Sequence, residues 1–468
     1  MKTYIAAALA TLTLLASGCK DNPTAPSRDR VVAGSQQTLQ ALVTGAVAQE
    51  RANAGGGAYQ LYASIMARDA IVPTINESRF VTEFYNTPPD PSDFIGGSLW
   101  TGFYVAIRAE QNVLKDASFT TLGAGDQAAT RGFLRTLVGL EYIQLLEYRD
   151  QNGIVIQGSD AAKQDPIRTK QSALLATSAL LDSALTDLNA AASAGTTSLP
   201  FSLPSGYSLH GDYSQVANLI LLNRGLKGKT EVFRALDPVA PNAASAAIAI
   251  AALDAALSDA SNSPDQEYLN KGPWFEYNPS SPETAPNPLP SVTSLVTYNF
   301  VSSIAAGDVR VRKILPAGKL SLQGDSAANR LAITDPTNSA NLSAPLPIFR
   351  NAELYLLRAQ AEIAGGDLTS ATRDVNAVHT VEGGLPAYAN FTGSAAAIAA
   401  LLYEYRYSFA YMGPQHLDAL REYQMLNAAY VSQPGMPGPG PATDALVQSL
   451  PIIQNEINAR NGNITAVP

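Results

Sequence analysis

Apolar residues recur every three or four positions over most of the chain from Ser35 onward, and this spacing predicts amphipathic helices. Alternation of apolar and polar residues, which indicates strands, is scarce. The predicted helices cover residues 36–52, 58–70, 98–116, 127–149, 171–193, 213–236, 244–259, 350–364, 368–381, 394–412, 414–430 and 444–459. The pattern therefore predicts a mostly α protein.

The segments between these helices are rich in Pro, Gly, Asn and Ser. They comprise residues 72–97, 151–168, 196–211, 261–348 and 431–443. Structureless loops longer than about 15 residues are uncommon in compact domains unless they serve a function. We therefore expect ligand contacts in the longest segment, 261–348.

One helical hairpin can be followed residue by residue near the C-terminal end. An apolar face runs from Ala352 to Ile363, Gly365 and Gly366 provide a left-handed stop, and Asp367 can cap the next helix. The span from Arg350 to Gly383 is 34 residues, the length of a tetratricopeptide unit. Residues 127–193 predict a similar pair. We expect one domain over residues 35–468, built from stacked tetratricopeptide-like helix pairs with a loop insertion at 261–348.

The N-terminus follows the pattern of a secreted protein. Lys2 precedes an apolar run that is too short to span a membrane, and small residues lead to Cys19, the one cysteine among 468 residues. This arrangement resembles a bacterial lipobox, which predicts a signal peptide over residues 1–18 and lipidation of Cys19. An ordinary cleaved signal that happens to contain a cysteine is the alternative.

Residues 19–34 are polar and contain two prolines within KDNPTAPSRDR, which predicts a flexible tether. No later apolar stretch is long enough for a transmembrane helix. We expect the lipid to be the one membrane attachment. Several acyl chains on one cysteine give a lasting anchor, because each buried methylene contributes about 0.8 kcal/mol.

Composition and charge exclude one class of partner. Hydrophobic residues make up 46% of the chain, as in folded proteins, while charged residues make up 15%. The net charge is −9, and no basic block occurs anywhere. Binding of nucleic acid needs a basic surface, so we expect no nucleic-acid partner.

The sequence carries no recognisable catalytic constellation. His210, His379 and His416 lie far apart without metal-ligand spacing, and there is no GxSxG elbow. Loop carboxylates could pair as the acid and base of a glycosidase, but no spacing selects a pair among Glu83, Asp90, Asp93, Glu267 and Glu276. We therefore expect no enzyme, no metal and no cofactor.

Aromatic residues in the predicted loops are the candidate ligand contacts. Flat rings stack on the C–H faces of sugars, while amides and hydroxyls bind the sugar hydroxyls. The candidates are Phe84, Tyr85, Tyr268, Trp274, Phe275 and Tyr277. An alternative is that these rings attach long loops to the helices.

Several motifs together resemble the SusD/RagB family of outer-membrane nutrient-binding lipoproteins. The segment WTGFYVAIRAEQNVL matches at Trp100, Tyr104, Ile107 and Asn112, and GDVRVRKIL matches at Asp308 and Arg310. The helix GFLRTLVGLEYIQLLEYRD carries Arg135 at the expected position. The C-terminal motifs match at Arg350, Ala352, Glu353, Ala359, Ala361 and Glu362, and then at Glu404, Arg406, Gly413, Asp418 and Arg421.

The resemblance also has departures, since Ser408 and Met412 replace two glutamates and Gln415 replaces an arginine. These changes predict that a local ion-pair network has become less charged. The matched motifs are expected to serve the scaffold rather than the ligand.

The resemblance implies a mostly helical lipoprotein that is anchored in the outer membrane and exposed at the cell surface. It further implies capture of oligosaccharide, delivery to a TonB-dependent (SusC-like) outer-membrane transporter, and no catalysis. Two alternatives stay open. The same fold could bind peptide or glycopeptide, or the chain could be a periplasm-facing tetratricopeptide scaffold for envelope proteins.

Overall fold

A computed structural model of the protein describes residues 34–71, 78–158, 164–259, 264–279, 285–291, 295–296, 301–322, 325–335, 337–433 and 446–468. The predicted signal peptide 1–18, Cys19 and the tether up to residue 33 lie outside the described residues. So do parts of the predicted loop insertion 261–348.

Helices form most of the described chain, and the predicted mostly α class is confirmed. The longer helices are α1 (Gln36–Ala54), α2 (Ala58–Met66), α3 (Thr101–Val113), α4 (Ala124–Arg149), α5 (Lys170–Ser193), α6 (Val216–Ala235), α7 (Ala244–Ala256), α8 (Asn351–Gly365), α9 (Leu368–Glu382), α10 (Ser394–Ser408) and α11 (Gln415–Glu422). Short helical turns cover Arg79–Val81, which continues into a π-helical turn at Thr82–Asn86, and Ala117–Thr120, Gln266–Asn270, Ala428–Val431 and Gln454–Ala459.

The longer helices pack as successive pairs. The pairs are α1 with α3, α4 with α5, α6 with α7, and α8 with α9. Each pair also contacts the next one, through α3 and α4, then α5 and α6, then α7 and α8. The predicted stack of tetratricopeptide-like helix pairs is confirmed, because one apolar core runs through all of these pairs.

The α8–α9 hairpin forms as its sequence predicts. Gly366 ends α8 with a φ of 82°, a left-handed conformation that costs glycine little. The Asp367 carboxylate then accepts a hydrogen bond from the backbone N–H of Ser370 at 3.0 Å, which caps α9.

Strands occur where the sequence pattern showed none, within the segment 261–348. An antiparallel sheet has the strand order β1 (Ala70–Ile71), β5 (Leu295–Val296), β7 (Asp325–Leu331) and β6 (Ile314–Leu322). Two small antiparallel pairs join β2 (Ile154–Val155) to β3 (Ile167–Arg168), and β4 (Trp274–Phe275) to β8 (Leu346–Pro347). The segment 261–348 therefore contains regular structure, and the pairing of β4 with β8 joins its two ends.

Several predicted helices are shorter than the apolar pattern suggests. The one expected over 58–70 ends at Met66, and the one expected over 444–459 is helical only from Gln454 within the described residues. The one expected over 394–412 ends at Ser408, and Tyr411 beyond it has a φ of 60°. The one expected over 414–430 divides at Gln424, whose φ is 54°. A single left-handed residue breaks the helix, and residue spacing carries no signal for it.

Buried ion pairs connect the charged residues of the C-terminal motifs. Arg310 donates to Asp308 at 2.7 Å and to Glu404 at 2.6 Å, and all three side chains are almost fully buried. Arg350 pairs with Glu382. The other motif residues Glu353, Glu362, Arg406, Asp418 and Arg421 are also buried, whereas Gly413 is half-buried.

The family departures fall inside this network, as the sequence predicts. The Ser408 hydroxyl accepts from Arg310 at 2.7 Å, and the Gln415 amide donates to Glu353 at 3.1 Å. Neutral groups thus take positions at which the related motif has charges.

Three further carboxyl groups are buried without a cationic partner at the centre of the first helix pairs. Glu50 of α1, Glu110 of α3 and Glu141 of α4 are each 0% exposed. Burial raises the pKa of Glu50 to about 8, although the Gln144 amide and Arg51 oppose this rise. Burial also raises the pKa values of Glu110 and Glu141; the Glu50 charge adds to both rises, while the hydrogen bond with Glu141 opposes that of Glu110. Burial therefore favours the protonated, uncharged form of these carboxyl groups.

The C-terminal segment closes the fold over distant parts of the chain. The backbone N–H of Leu450 donates to the Tyr148 carbonyl at 2.7 Å, and that of Gln454 donates to Pro91 at 3.0 Å. The N–H of Thr169 donates to Val467 at 2.9 Å. Helix α4, the loop after residue 87 and β3 are all tied to the last residues.

Candidate functional site

Most of the aromatic side chains predicted to contact ligand lie inside the protein. Phe84 and Tyr85 are buried in the π-helical turn, where Phe84 packs 5.5 Å from the Tyr62 ring and Arg68 lies over Tyr85. Burial of these two rings corrects the expectation of exposed loop aromatics. The two rings attach the turn to helix α2, because burying apolar ring surface away from water lowers the free energy of the folded state.

The rings of the 268–277 segment are also largely withdrawn from solvent. Phe275 and Tyr277 are buried, and the Tyr277 hydroxyl donates to the Gly55 carbonyl at 2.7 Å. Tyr268 is half-buried and donates to Asp259 at 2.8 Å. Trp274 is 8% exposed, yet with Phe275 it lines a cleft. The alternative reading, in which rings attach loops to helices, describes Tyr277 best, and a binding role for Trp274 and Phe275 stays a prediction.

An exposed aromatic ring lies elsewhere, in the Pro-rich loop before α3. Among the large hydrophobic side chains that are exposed in the described part of the chain, one is aromatic: Phe94, at 42%. Its ring meets Phe80 edge-on at 5.7 Å, and the Arg79 guanidinium lies 4.3 Å from its centroid. We call Arg79, Phe80, Asp93 and Phe94 the Phe94 platform.

The backbone of the loop fixes the position of the Phe94 platform. The Asp90 carboxylate accepts from the N–H and the hydroxyl of Ser92, which forms a tight turn. Gly96 lies against the Asp90 carbonyl so closely that a Cβ would come within 2.0 Å of the oxygen. Only glycine fits there. The Asp90–Ser92 turn before Phe94 and this close backbone contact after it together hold the loop in one shape.

Charged groups surround the exposed ring. The Asp93 carboxylate accepts from Arg79 at 2.7 Å and from the N–H of Ile95 at 2.7 Å. Burial raises the pKa of Glu83, and the nearby Asp93 carboxylate raises it further. The platform thus combines an exposed apolar ring with the Arg79 guanidinium, which can donate to sugar hydroxyls, and the Asp93 carboxylate, which can accept from them.

The exposed ring lies in the predicted loop 72–97, but it is not among the candidate rings. The candidates there were Phe84 and Tyr85 in TEFYN, whereas the exposed ring is Phe94 in DPSDFIGG. The sequence did contain a signal for Phe94. Turn-forming Pro, Asp and Gly residues lie on both sides of it, so it lacks the helical spacing that is typical of a core residue.

The Trp274 cleft is a concave feature of about 310 Å³. It lies between α1, the loop around residue 204 and strand β4. Its lining comprises Gln40, Thr44, Val47, Ala48, Arg51, Ser202, Leu203, Pro204, Ser205, Tyr207, Trp274, Phe275 and Glu276.

No group of three His, Cys, Asp or Glu side chains within the described ranges is arranged to hold a metal ion. Within those ranges, too, no helix combines the length and the apolar character that crossing a bilayer requires.

Comparison with known proteins identifies the fold. No protein-family model matches the chain, and no curated protein sequence matches it significantly. Solved structures do match it. A SusD superfamily protein of Parabacteroides distasonis superimposes with a TM-score of 0.64 at 13% identity, covering 91% of this chain and 98% of the other.

Two further matches are described by what they are or bind. A surface glycan-binding protein A of Bacteroides thetaiotaomicron in complex with laminarihexaose gives a TM-score of 0.62 at 15% identity, covering 92% of this chain and 98% of the other. NanU of B. fragilis gives 0.55 at 15% identity, covering 92% and 95%. At these identities the likeness shows that the chain has the SusD-like fold.

Proposed function

We propose, from a chain that has the SusD-like fold, that this protein binds carbohydrate at the Phe94 platform. One observation carries the proposal: the exposed aromatic ring of Phe94 lies beside the Arg79 guanidinium and the Asp93 carboxylate that pairs with it. The matched protein in complex with laminarihexaose supports it, since that protein binds a glycan with the same fold.

The chemistry of the platform suits an oligosaccharide. A sugar ring presents axial C–H groups on one face, and this face packs on an aromatic ring. Its equatorial hydroxyls extend sideways, where Arg79 can donate and Asp93 can accept. Since the Arg79 side chain is 44% exposed, its guanidinium reaches solvent while it supports Phe94.

The cellular role follows from the sequence rather than from the site. We propose that Cys19 is lipidated, that the protein faces outward from the outer membrane, and that it passes its glycan to a TonB-dependent transporter. The protein acts without catalysis in this scheme. A carbohydrate-binding surface and a lipid anchor together are what capture of nutrients at the cell surface requires.

Substitution of the exposed ring tests carbohydrate binding. The Phe94→Ala variant is compared with the wild-type protein against a panel of oligosaccharides by isothermal titration calorimetry. We expect Kd to rise about tenfold or more, because loss of a stacked ring removes about 1.5 kcal/mol. Val105→Ala is the matched control, since Val105 is 50% exposed on α3 and lies outside the platform.

Three results would contradict the proposal. Binding of peptides with no response to any sugar would favour the peptide reading. Unchanged sugar affinity in Phe94→Ala would place the binding site elsewhere. Protection of the protein from protease added to intact cells would favour the periplasm-facing scaffold.

A further inference from the structure

The walls of the Trp274 cleft are fixed before any ligand arrives. The Gln40 amide on α1 donates to the Ser202 carbonyl at 2.9 Å and accepts from the Ser202 N–H at 2.8 Å. This pair of bonds clamps the 202–205 loop to the first helix. A pocket that is already formed loses little conformational entropy when it binds.

The opposite wall is fixed by a close backbone contact. Gly206 lies against strand β4, where a Cβ would come within 2.1 Å of the Trp274 carbonyl oxygen. The Ser205 hydroxyl then donates to the Glu276 carboxylate across the same junction. The loop and the strand therefore move as one unit.

The cleft has an apolar floor and a polar rim. Val47, Ala48, Pro204, Trp274 and Phe275 supply apolar surface. The Trp274 indole N–H donates to the Asn270 carbonyl at 3.0 Å, so the ring offers the cleft carbon surface only. Polar side chains at the rim are Gln40, Thr44, Arg51, Ser202, Ser205 and Glu276.

This lining selects the chemistry of the ligand. A volume of about 310 Å³ lies at the lower end of the range for small-molecule sites. Since Arg51 and Glu276 carry opposite charges, the rim favours a neutral ligand with several hydroxyl groups. An apolar floor with hydroxyl, amide and carboxylate groups around it fits one sugar ring.

We propose that the Trp274 cleft is a second carbohydrate site, which takes a single neutral sugar unit independently of the Phe94 platform. The proposal deepens the proposed function and rests on it for the class of ligand. Two sites on one protein would raise the avidity for a branched or long glycan, because the second binding event becomes intramolecular.

Tryptophan fluorescence reports on this cleft directly. The chain has two tryptophans, and the other one, Trp100, is buried beside Tyr104. In the Trp100→Phe variant the emission comes from Trp274 alone. We expect methyl glycosides of glucose, galactose, mannose, xylose and N-acetylglucosamine to include at least one that shifts this emission saturably.

A blocking variant separates binding in the cleft from other effects. Ala48 is exposed on α1 and lines the cleft, so Ala48→Phe fills the opening without touching the core. Ala41→Phe is the matched control, because Ala41 is exposed on the same helix and does not line the cleft. In the Trp100→Phe background, we expect Ala48→Phe to weaken the fluorescence response at least tenfold and Ala41→Phe to leave it unchanged.

The outcomes distinguish this proposal from the proposed function. If Phe94→Ala abolishes all sugar binding and no methyl glycoside changes the Trp274 emission, the second site is refuted while the first stands. A response to 4-nitrophenol without any response to methyl glycosides would also refute it, since the cleft would then bind aryl groups. If Trp274 responds to sugars and Phe94→Ala changes nothing, the cleft stands and the platform fails.

Discussion

Replacing Glu50 by glutamine should stabilise the protein at neutral and alkaline pH but not in acid. In the folded state the pKa of Glu50 is raised from 4.5 to about 8. Below pH 4.5 the side chain is protonated in both the folded and the unfolded state, so the substitution changes little. Above pH 4.5 the unfolded protein releases the proton while the folded protein keeps it, and folded wild type loses stability.

The magnitude follows from the separation of the two pKa values. Each pH unit between 4.5 and about 8 costs the wild-type protein about 1.4 kcal/mol, because that is the free energy of one pKa unit. The advantage of Glu50→Gln should therefore be about 3 kcal/mol at pH 7 and about 5 kcal/mol above pH 8. Glutamine has no charge to bury and nearly the same shape.

Urea denaturation at pH 5, 7 and 8.5 measures this difference. The free energy of unfolding of the variant minus that of wild type should increase with pH. Glu267→Gln is the control, since the Glu267 side chain is 70% exposed. A difference that does not change with pH, or a variant less stable than wild type at pH 8.5, would refute a buried protonated carboxyl group at position 50.

Three further predictions concern the scaffold and the anchor. Burial opposes ionisation of Glu382, but the Arg350 charge and hydrogen bond lower its pKa to about 2. The stability that this ion pair contributes is present above the unfolded pKa of 4.5 and is lost as pH falls towards 2. Thermal unfolding should therefore show that Glu382→Gln costs several kcal/mol of stability at pH 7 and much less near pH 2. Gly206→Ala should abolish the fluorescence response of Trp274 to glycosides and lower the melting temperature, because the added Cβ meets the Trp274 carbonyl; an unchanged melting temperature would contradict that close contact. Cys19→Ser should remove labelling by radioactive palmitate and release the protein from the membrane fraction; retained label would contradict lipidation at Cys19.

The helices could be predicted because apolar residues recur with helical spacing and leave a periodic trace in the sequence, even in α4 and α8, which are buried on almost all sides. The α8–α9 hairpin shows this best, with its apolar face, glycine stop and aspartate cap all at the expected positions. The hairpin of β6 and β7 could not be predicted in this way. Strand β7 pairs with β5, which pairs in turn with the distant β1, and the alternation within Ile314–Leu322 is weak.

Buried charged residues and the candidate site were harder to predict than the helices. Glu50, Glu110 and Glu141 look like surface residues in the sequence, and only the packing of α1, α3 and α4 brings them together. Likewise, Phe84 and Phe94 both follow turn-forming or polar residues, yet one is buried and the other is 42% exposed. The difference arises from contacts with Tyr62 and Arg79, which are distant interactions that local spacing does not encode.

The bonds from the C-terminal segment have a consequence for the order of folding. The loop that carries Phe94 is held at Pro91 by Gln454, and β3 is held by Val467. These contacts join residues roughly three hundred or more positions apart, so they form only after the last part of the chain has been made. A chain arrested before residue 454 has the early helix pairs but lacks the bond that fixes its binding loop. The last residues of the chain therefore complete the support of the loop that carries Phe94.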